Sequence, residues 1–236
     1  MTTLAFDTCF GACSAALRFR GASGEWIVRE DYREMATGHA ETLLPMIEHL
    51  IAEAGLRFGN LTRLAVTNGP GGFTGVRIGL SAARGLKLAL GLPVSARSSL
   101  SVMAARAQAL LAGGPFEGAG KASVLTVCVD ARGGQVYAES FAAESTRPLH
   151  PATLATIAEL AERLRGERNI IVGSGAAMLA EAITHVGGDA VAMMPALQPH
   201  ARHLALLAAG DPPTANLDPM YLRNTDAKPM ASAGPP

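Results

Sequence analysis

The residues with the clearest potential for chemistry lie in one glycine-rich string, Asn68-Gly69-Pro70-Gly71-Gly72-Phe73-Thr74-Gly75-Val76-Arg77-Ile78-Gly79. It separates an apolar run at 64–66, typical of a strand, from a helical pattern that continues to residue 90. Glycines in such a turn permit positive φ and let an anion or another backbone approach closely, as expected at Gly69, Gly71, Gly72 and Gly75. Thr74 is positioned to cap the helix. A plain strand-to-helix turn has the same composition, so both interpretations stay open.

The string does not encode a mononucleotide P-loop, because it holds no lysine and fits neither G-x-x-x-x-G-K-[ST] nor G-x-G-x-x-G. Other phosphate-binding candidates are two carboxylates and a second glycine turn. Asp7 and Asp130 each end an apolar run just before a turn, where a carboxylate can hold a metal–phosphate or only bond turn amides. Gly173 and Gly175 lie between a strand pattern and a helix pattern, so their amides can receive a phosphate or simply form a turn.

Metal and nucleophile signatures are missing from the sequence. The six histidines include no H-x-x-x-H pair, and the three cysteines include no C-x-x-C pair. No Gly-x-Ser-x-Gly elbow is present, since Gly173-Ser174-Gly175 lacks the flanking spacing. His39, beside Glu41, suits a helix start or a surface. We therefore expect no catalytic residue and no metal site in this chain, and buried free thiols at its cysteines.

Composition places the chain among globular proteins without a strong charge. Its 236 residues suffice for one large domain or two small lobes, and 49% are hydrophobic while only 5% are aromatic. The 20 basic and 20 acidic residues balance, which argues against a strong non-specific nucleic-acid binder. A signal-peptide pattern and an apolar run of about 18 residues are both missing. We expect a cytoplasmic protein that does not enter a membrane.

Two sets of elements position these residues. A first lobe is expected over 1–112 and a second over 121–223, with a glycine-rich break at 113–120 between them. The periodicity of the first lobe predicts strands at 4–6, 14–19, 25–32, 64–67 and 93–96, and helices at 38–54, 74–90 and from 98 or 99 to 111. That of the second predicts strands at 123–130, 135–141, 169–172 and 189–193, and helices at 153–164, 175–186 and 201–209.

The second lobe repeats the start of the first. Each begins with an apolar strand, an aspartate, a small polar turn and a returning strand, which is the pattern of a duplicated fold, although so simple a pattern can also recur by chance. A tail at 224–236, rich in Ala, Ser, Gly and Pro, follows the second lobe and is expected to be mobile.

The helix after the glycine string carries two stripes. Gly75, Gly79 and Ala83 recur every fourth residue and form a smooth face that another helix can approach closely. Arg77 and Arg84 lie seven residues apart on a neighbouring face, with a leucine between them. Both stripes can be satisfied within the monomer, and an arginine-flanked face can also contact another protein.

Four strings together resemble one known family, the TsaB (YeaZ) proteins. They are the glycine string from Gly69 to Gly79, then His39-Ala40-Glu41-Thr42-Leu43-Leu44-Pro45-Met46-Ile47, Asp130-Ala131-Arg132-Gly133-Gly134-Gln135-Val136-Tyr137 and Pro219-Met220-Tyr221-Leu222-Arg223. The resemblance implies an α/β protein with the two-lobed actin/sugar-kinase/Hsp70-like (ASKHA) fold, in which a mixed β-sheet with flanking helices is duplicated. It also implies a role in making N6-threonylcarbamoyladenosine on tRNA, beside a catalytic paralogue, TsaD, and an ATPase, TsaE.

Departures from the relatives point to a non-catalytic subunit. The paralogue carries two metal-binding histidines in a segment like Asn-His-Leu-Glu-Gly-His, where this chain has Ser99 and Met103, which are poor ligands for a hard-donor metal site. Cys9 stands where relatives with an Asp-x-Gly loop have glycine, so the loops at Asp7, Asp130, Gly173 and Gly175 are expected to be vestigial. No cofactor is then expected on this chain alone. ATP or ADP and a metal belong in the partner subunits.

The resemblance also implies how the partner docks. In the family the two helices after the first hairpin form the seam with the catalytic subunit, and here those are the helices predicted at 38–54 and 74–90. The predicted interface residues are His39, Leu43, Ile47, Arg77, Leu80 and Arg84. A TsaD-like chain is the expected partner, with a TsaE-like ATPase and tRNA reached through the complex. Whether the chain forms a homodimer when alone stays open.

Two enzymatic alternatives also remain. A stand-alone small-molecule kinase of the same fold would use Asp7 and Asp130 to hold magnesium and position phosphate. A metallo-glycoprotease is disfavoured by the missing histidine pair.

Overall fold

The computed structural model describes residues 1–112, 124–142 and 145–223. The predicted break at 113–120 and the predicted tail at 224–236 lie outside these described residues. None of the helices in the described ranges combines the length and the apolar character needed to cross a bilayer.

Within the described residues, each lobe contains five strands and three α-helices. The strands of the first lobe are β1 (Thr3–Asp7), β2 (Ala12–Arg20), β3 (Trp26–Glu34), β4 (Arg63–Thr67) and β5 (Val94–Arg97), and its helices are α1 (His39–Glu53), α2 (Phe73–Leu90) and α3 (Ser99–Ala112). The strands of the second are β6 (Val124–Asp130), β7 (Gln135–Ala142), β8 (Pro148–Thr156), β9 (Arg168–Val172) and β10 (Asp189–Met193), and its helices are α4 (Ile157–Leu164), α5 (Ala176–His185) and α6 (Ala201–Leu207).

The two lobes share one topology. The first sheet has the order β3-β2-β1-β4-β5 and the second the order β8-β7-β6-β9-β10, so each element of one lobe has its counterpart in the other. In both sheets the first strand pairs antiparallel with the second and parallel with the strand that follows the first helix. The predicted duplication of a mixed sheet is therefore confirmed.

The segment before α4 was predicted wrongly, as the beginning of a helix at residue 153. Residues 148–156 instead form β8, which pairs with β7 at the edge of the sheet. An edge strand tolerates its prolines, Pro148 and Pro151, because one side of its backbone needs no partner. The helix begins later, where Thr156 and Glu159 form a capping box.

The third helix of each half packs on the sheet of the other half. Leu100 and Met103 of α3 join the apolar core of the second sheet, while Leu204 of α6 packs with Ala5 and Ala16 of the first. The bounds 1–112 and 121–223 stay a prediction, and each core includes one helix from the other repeat. The exchange ties the lobes together beneath the cleft between them.

Candidate functional site

The glycine string is a turn built for close backbone contact. Gly72 N–H donates a hydrogen bond to the carbonyl oxygen of Cys9 at 2.8 Å. A Cβ on Gly71 would collide with that same carbonyl, and a Cβ on Gly75 would collide with the carbonyl of Thr8. Gly69 adopts φ of 108°, which favours glycine. Of the two uses expected for these glycines, the structure shows the approach of another backbone.

Thr74 does not cap α2, contrary to the sequence prediction. The helix begins one residue earlier, at Phe73, with Gly72 as its N-cap, and no side-chain capping bond forms there among the described residues. The small stripe of this helix is satisfied within the monomer, which is one of the two outcomes left open by the sequence. Gly79 lies against the Thr8 hydroxyl and Val66 rather than against another helix, so the stripe serves the packing of α2 on its own sheet.

Asp7 lies beneath the glycine turn and is fully buried. Its Oδ1 accepts hydrogen bonds from the Thr67 hydroxyl and, at 3.4 Å, from the Cys9 N–H, while Oδ2 has no hydrogen-bond partner among the described residues. Loss of hydration raises the pKa of this carboxyl to about 6, and the bond from Thr67 opposes the rise only in part. The Asp7 carboxyl is fully buried and does not line the cleft between the lobes, which argues against the predicted role of Asp7 in holding magnesium for a ligand there.

The matching loop of the second lobe has a different environment. Asp130 is exposed; its Oδ1 accepts the Arg132 N–H at 2.8 Å. The two glycine amides of the turn at 173–175 are already paired, because Gly173 N–H donates to the carbonyl of Met194 at 3.2 Å and Gly175 N–H donates to the carbonyl of Cys128 at 3.0 Å. The two aspartates are therefore equivalent in topology but not in accessibility.

A cleft of about 920 Å³ separates the lobes. Its walls are the glycine turn, the turn after β6, and residues 220–223. At the positions compared with the paralogue's histidines, Met103 is buried at the cleft, and the buried Ser99 hydroxyl donates to the carbonyl of Pro70. Among the residues that the structure describes, no group of three or more His, Cys, Asp or Glu side chains is arranged to hold a metal ion.

Several predicted interface residues belong to the core of the first lobe. Leu43, Ile47 and Leu80 are at most 1% exposed, so their side chains offer almost no surface area for a partner to cover. His39 is 8% exposed, and its Nε2 lies 3.1 Å from the carbonyl oxygen of Phe10. The helical spacing located the apolar stripe correctly, but that stripe faces the chain's own sheet.

The remaining two predicted interface residues are exposed. Arg77 donates from Nε to the Tyr221 hydroxyl at 2.9 Å. Arg84 donates from Nη2 to the carbonyl of Leu217 at 2.6 Å. Both guanidinium groups therefore contact the C-terminal segment while remaining at the surface of α2.

A second apolar stripe, which the sequence analysis missed, forms an open groove between α1 and α2. The groove measures about 810 Å³ and has Leu43 in its lining. Leu44 and Phe73 are 48% and 45% exposed in it. Half-buried side chains of α2 complete the surface at i, i+4 and i+8, namely Ile78, Ala82 and Leu86. This spacing is the signal that could have identified it, because one helix with two adjacent apolar stripes has more apolar surface than its own core needs.

Comparison with known proteins identifies the family. The family model described as TsaD, tRNA N6-adenosine threonylcarbamoyltransferase, matches residues 33–207. The tRNA threonylcarbamoyladenosine biosynthesis protein TsaB of Haemophilus influenzae is 36% identical over 148 residues, which are 62% of this chain and 56% of that protein. The solved structure of YeaZ from Pseudomonas aeruginosa is 30% identical, covers 94% of this chain and 99% of that chain, and superposes with a TM-score of 0.72. The chain belongs to the TsaB/YeaZ family.

Membership of the TsaB/YeaZ family confirms the resemblance and the two-lobed ASKHA fold inferred from it. An uncharacterized protein of Mycobacterium tuberculosis matches at 32% identity over 235 residues, which are 98% of this chain and 95% of that protein. The match to the curated TsaB relatives is shorter. The chain spans about half the length of the curated TsaB relatives it matches, 56% in the case of the Haemophilus protein.

The four strings that carry the TsaB/YeaZ resemblance have separate places in the structure. The first forms the glycine turn and the start of α2, and the second forms α1 from its first residue. The third, from Asp130 to Tyr137, forms the turn between β6 and β7, while the fourth, from Pro219 to Arg223, runs along the cleft. The first two strings therefore build the groove, and the first, third and fourth meet at the cleft.

Proposed function

We propose that this chain is a non-catalytic docking subunit that pairs with a TsaD-like catalytic chain through the groove between α1 and α2. It thereby supports threonylcarbamoyl transfer to N6 of adenosine in tRNA. The names of the relatives support the process, since one is a tRNA threonylcarbamoyladenosine biosynthesis protein and the matching family model describes the transferase. A TsaE-like ATPase and tRNA join through the catalytic chain, which holds the nucleotide and metal.

The observation that carries this proposal is the exposed apolar groove. Covering the exposed halves of Leu44 and Phe73 would contribute about 1 kcal/mol each, half of the value for a fully buried side chain. Arg77 stacks on Phe73, with its guanidinium carbon 3.6 Å from the ring centroid, and arginine beside an aromatic ring is a frequent combination in binding hot spots. A stable interface buries roughly 1,200 Å² or more, so the partner must contact the helices beyond the groove itself.

The state of the phosphate loops supports the non-catalytic part of the proposal. Asp7 is buried, and the glycine amides at Gly72, Gly173 and Gly175 are paired within the chain. A kinase needs free amides and an accessible carboxylate to hold magnesium and phosphate, so these contacts argue against the stand-alone kinase. Calorimetry of the isolated chain with magnesium-ATP tests this, and sub-millimolar binding with turnover would favour the kinase.

The docking proposal is tested by measuring the affinity for the TsaD-like chain of the same organism. Leu44→Asp places a charge in the groove at an exposed position and is expected to weaken binding at least about tenfold. The matched control is Met178→Asp, because Met178 is 47% exposed on α5, the counterpart of α2 in the second lobe. Unchanged affinity for Leu44→Asp would refute the groove as the docking site.

A reconstituted transfer assay tests the process. The catalytic chain, the ATPase, ATP, tRNA and a preformed activated threonylcarbamoyl donor, the mixed anhydride of threonylcarbamate with AMP, are combined with the wild-type chain or with Leu44→Asp. The N6 amine attacks the carbamoyl carbon of this donor, and AMP leaves. Transfer is expected to require the wild-type chain and to fall with Leu44→Asp but not with Met178→Asp. Transfer by this chain without the catalytic partner would overturn its assignment as a non-catalytic subunit.

A further inference from the structure

The C-terminal segment after α6 runs back along the first lobe. Thr214 N–H donates to the carbonyl of Val94 at 2.8 Å, which places the segment beside the edge strand β5. Farther on, Met220 N–H donates to the carbonyl of Asn68 at 2.7 Å, directly before the glycine turn. These bonds hold residues 214–220 on the first lobe as far as the cleft.

Arg223 then crosses to the second lobe. Its Nη2 donates to the carbonyl of Ala131 at 3.0 Å, to the carbonyl of Arg132 at 2.8 Å and to Gln135 Oε1 at 3.3 Å. Arg132 has φ of 64°, a left-handed conformation uncommon for a residue with a side chain. A guanidinium group donates hydrogen bonds and accepts none, so it suits this cluster of oxygen acceptors, and its charge strengthens each bond.

Tyr221, two residues earlier, contacts the start of α2. Its hydroxyl accepts the Arg77 Nε–H at 2.9 Å, and its ring stacks on Phe73 with the centroids 5.5 Å apart. Phe73 lines both the cleft and the groove. A continuous chain of contacts therefore runs from the turn after β6, through Arg223 and Tyr221, to the exposed end of the groove.

We propose that Arg223 is a positioning residue for docking. It fixes the C-terminal segment to the second lobe, and through Tyr221 this holds Phe73 and Arg77 in the orientation that a partner meets at the end of the groove. Packed side chains and hydrogen bonds can carry coupling between two sites, and Arg223, Tyr221 and the start of α2 form such a series of contacts. Only the partner-binding consequence rests on the proposed function, because the effect on α2 is present in the isolated chain.

Hydrogen exchange of the isolated chain tests the first step. Arg223→Ala is expected to raise exchange about threefold or more at the amides of residues 131–136 and 76–78. The control is Arg163→Ala, an exposed arginine on α4, which is expected to change neither segment. Unchanged exchange at 131–136 would show that Arg223 does not hold the turn. A change confined to 131–136 would overturn the link to α2.

The second step is tested by affinity for the TsaD-like chain in a double-mutant cycle. Arg223→Ala is expected to weaken binding about fivefold or more, although Arg223 does not line the groove. Tyr221→Phe removes the hydroxyl that accepts from Arg77, and the two losses are expected to be less than additive because they break one chain of contacts. If the losses of affinity are additive, the positioning role is overturned. It is also overturned if Arg223→Ala leaves the affinity unchanged while Leu44→Asp weakens binding. Either result leaves the docking proposal intact. If the wild-type chain does not bind, the docking proposal fails, and the exchange experiment still decides the role of Arg223.

Discussion

Glycine-to-alanine substitutions along α2 are expected to change stability with opposite signs. Gly85 is exposed, and apart from its chain neighbours and the adjacent backbone of its own helix no described heavy atom lies within 4 Å of where its Cβ would be. Alanine there should stabilise the fold by about 0.5–1 kcal/mol, because glycine loses more backbone freedom in a helix. Gly75, by contrast, lies against the chain itself, because a Cβ there would collide with the backbone carbonyl of Thr8.

The cost at Gly75 is expected to exceed the helix-propensity gain. The Thr8 hydroxyl also donates to the carbonyl of Gly75 at 2.7 Å, so the turn and the helix are joined twice at this point. Forcing an extra methyl group into a packed site costs about 1–3 kcal/mol, and a backbone obstacle places Gly75→Ala near the upper end. Subtracting the gain leaves a net loss of about 2 kcal/mol, or a melting temperature lower by about 4–8 °C.

Urea unfolding followed by circular dichroism and by fluorescence measures both variants. The two probes should give coincident transitions if unfolding is two-state, which the free-energy comparison requires. Gly79→Ala provides an intermediate case, since its Cβ would lie 2.8 Å from the Thr8 hydroxyl, which can rotate away. The expected order of stability is Gly85→Ala above wild type, then Gly79→Ala, then Gly75→Ala. Equal stabilities for Gly75→Ala and Gly85→Ala would refute the close-contact explanation of the glycine string.

Three further predictions concern buried titratable groups. Burial raises the pKa of Asp7 from 3.8 to about 6, so between these pH values the folded state binds a proton that the unfolded state has lost, and the free energy of unfolding falls as pH rises. Asp7→Asn should reduce the difference in unfolding free energy between about pH 4.5 and about pH 7, measured by urea unfolding. An unchanged difference would contradict the prediction. Burial lowers the pKa of His203 from 6.5 to about 4, so the unfolded state gains a proton first and the free energy of unfolding falls as pH falls between these values. His203→Gln should therefore make the protein less sensitive to acid over this pH range. Equal midpoints of acid unfolding for the variant and the wild type would count against this role of His203. Burial raises the pKa of Cys13 and Cys128 to about 12 and that of Cys9 well above its usual value, so alkylation by iodoacetamide should proceed no faster than unfolding, and rapid labelling of the native chain would disagree.

The regular elements were predictable because their patterns are local. Strands such as β10 and helices such as α2 carry the period of their own secondary structure, and their bounds agree with prediction to within a few residues. The strand β8 was missed because Pro148 and Pro151 weaken its pattern, and only pairing with β7 stabilises it. The prediction that Thr74 caps α2 was wrong because a contact distant in sequence, the hydrogen bond from Gly72 to Cys9, sets where the helix begins.

The candidate site was less predictable because burial depends on contacts distant in sequence. Leu43 and Leu44 are neighbours of the same type, yet one is 1% exposed and the other 48% exposed, and only the position of the sheet distinguishes them. Asp7 and Asp130 share a local pattern, but the glycine turn covers the first and leaves the second at the surface. The family resemblance pointed to the pair of helices that carries the open groove, whereas side-chain spacing selected the stripe that faces inward.

The two lobes differ in the length of the helices that flank their sheets. Helices α1 and α2 have 15 and 18 residues, whereas their counterparts α4 and α5 have 8 and 10. At 1.5 Å per residue the first pair is about 22 and about 27 Å long and the second only about 12 and about 15 Å. A short helix pair has little surface left once its inner face covers a five-stranded sheet, while the longer pair exposes a second stripe. The greater length of these two helices therefore gives the first lobe the larger exposed apolar surface, and the proposed positioning role connects the second lobe to that surface through the turn that receives Arg223.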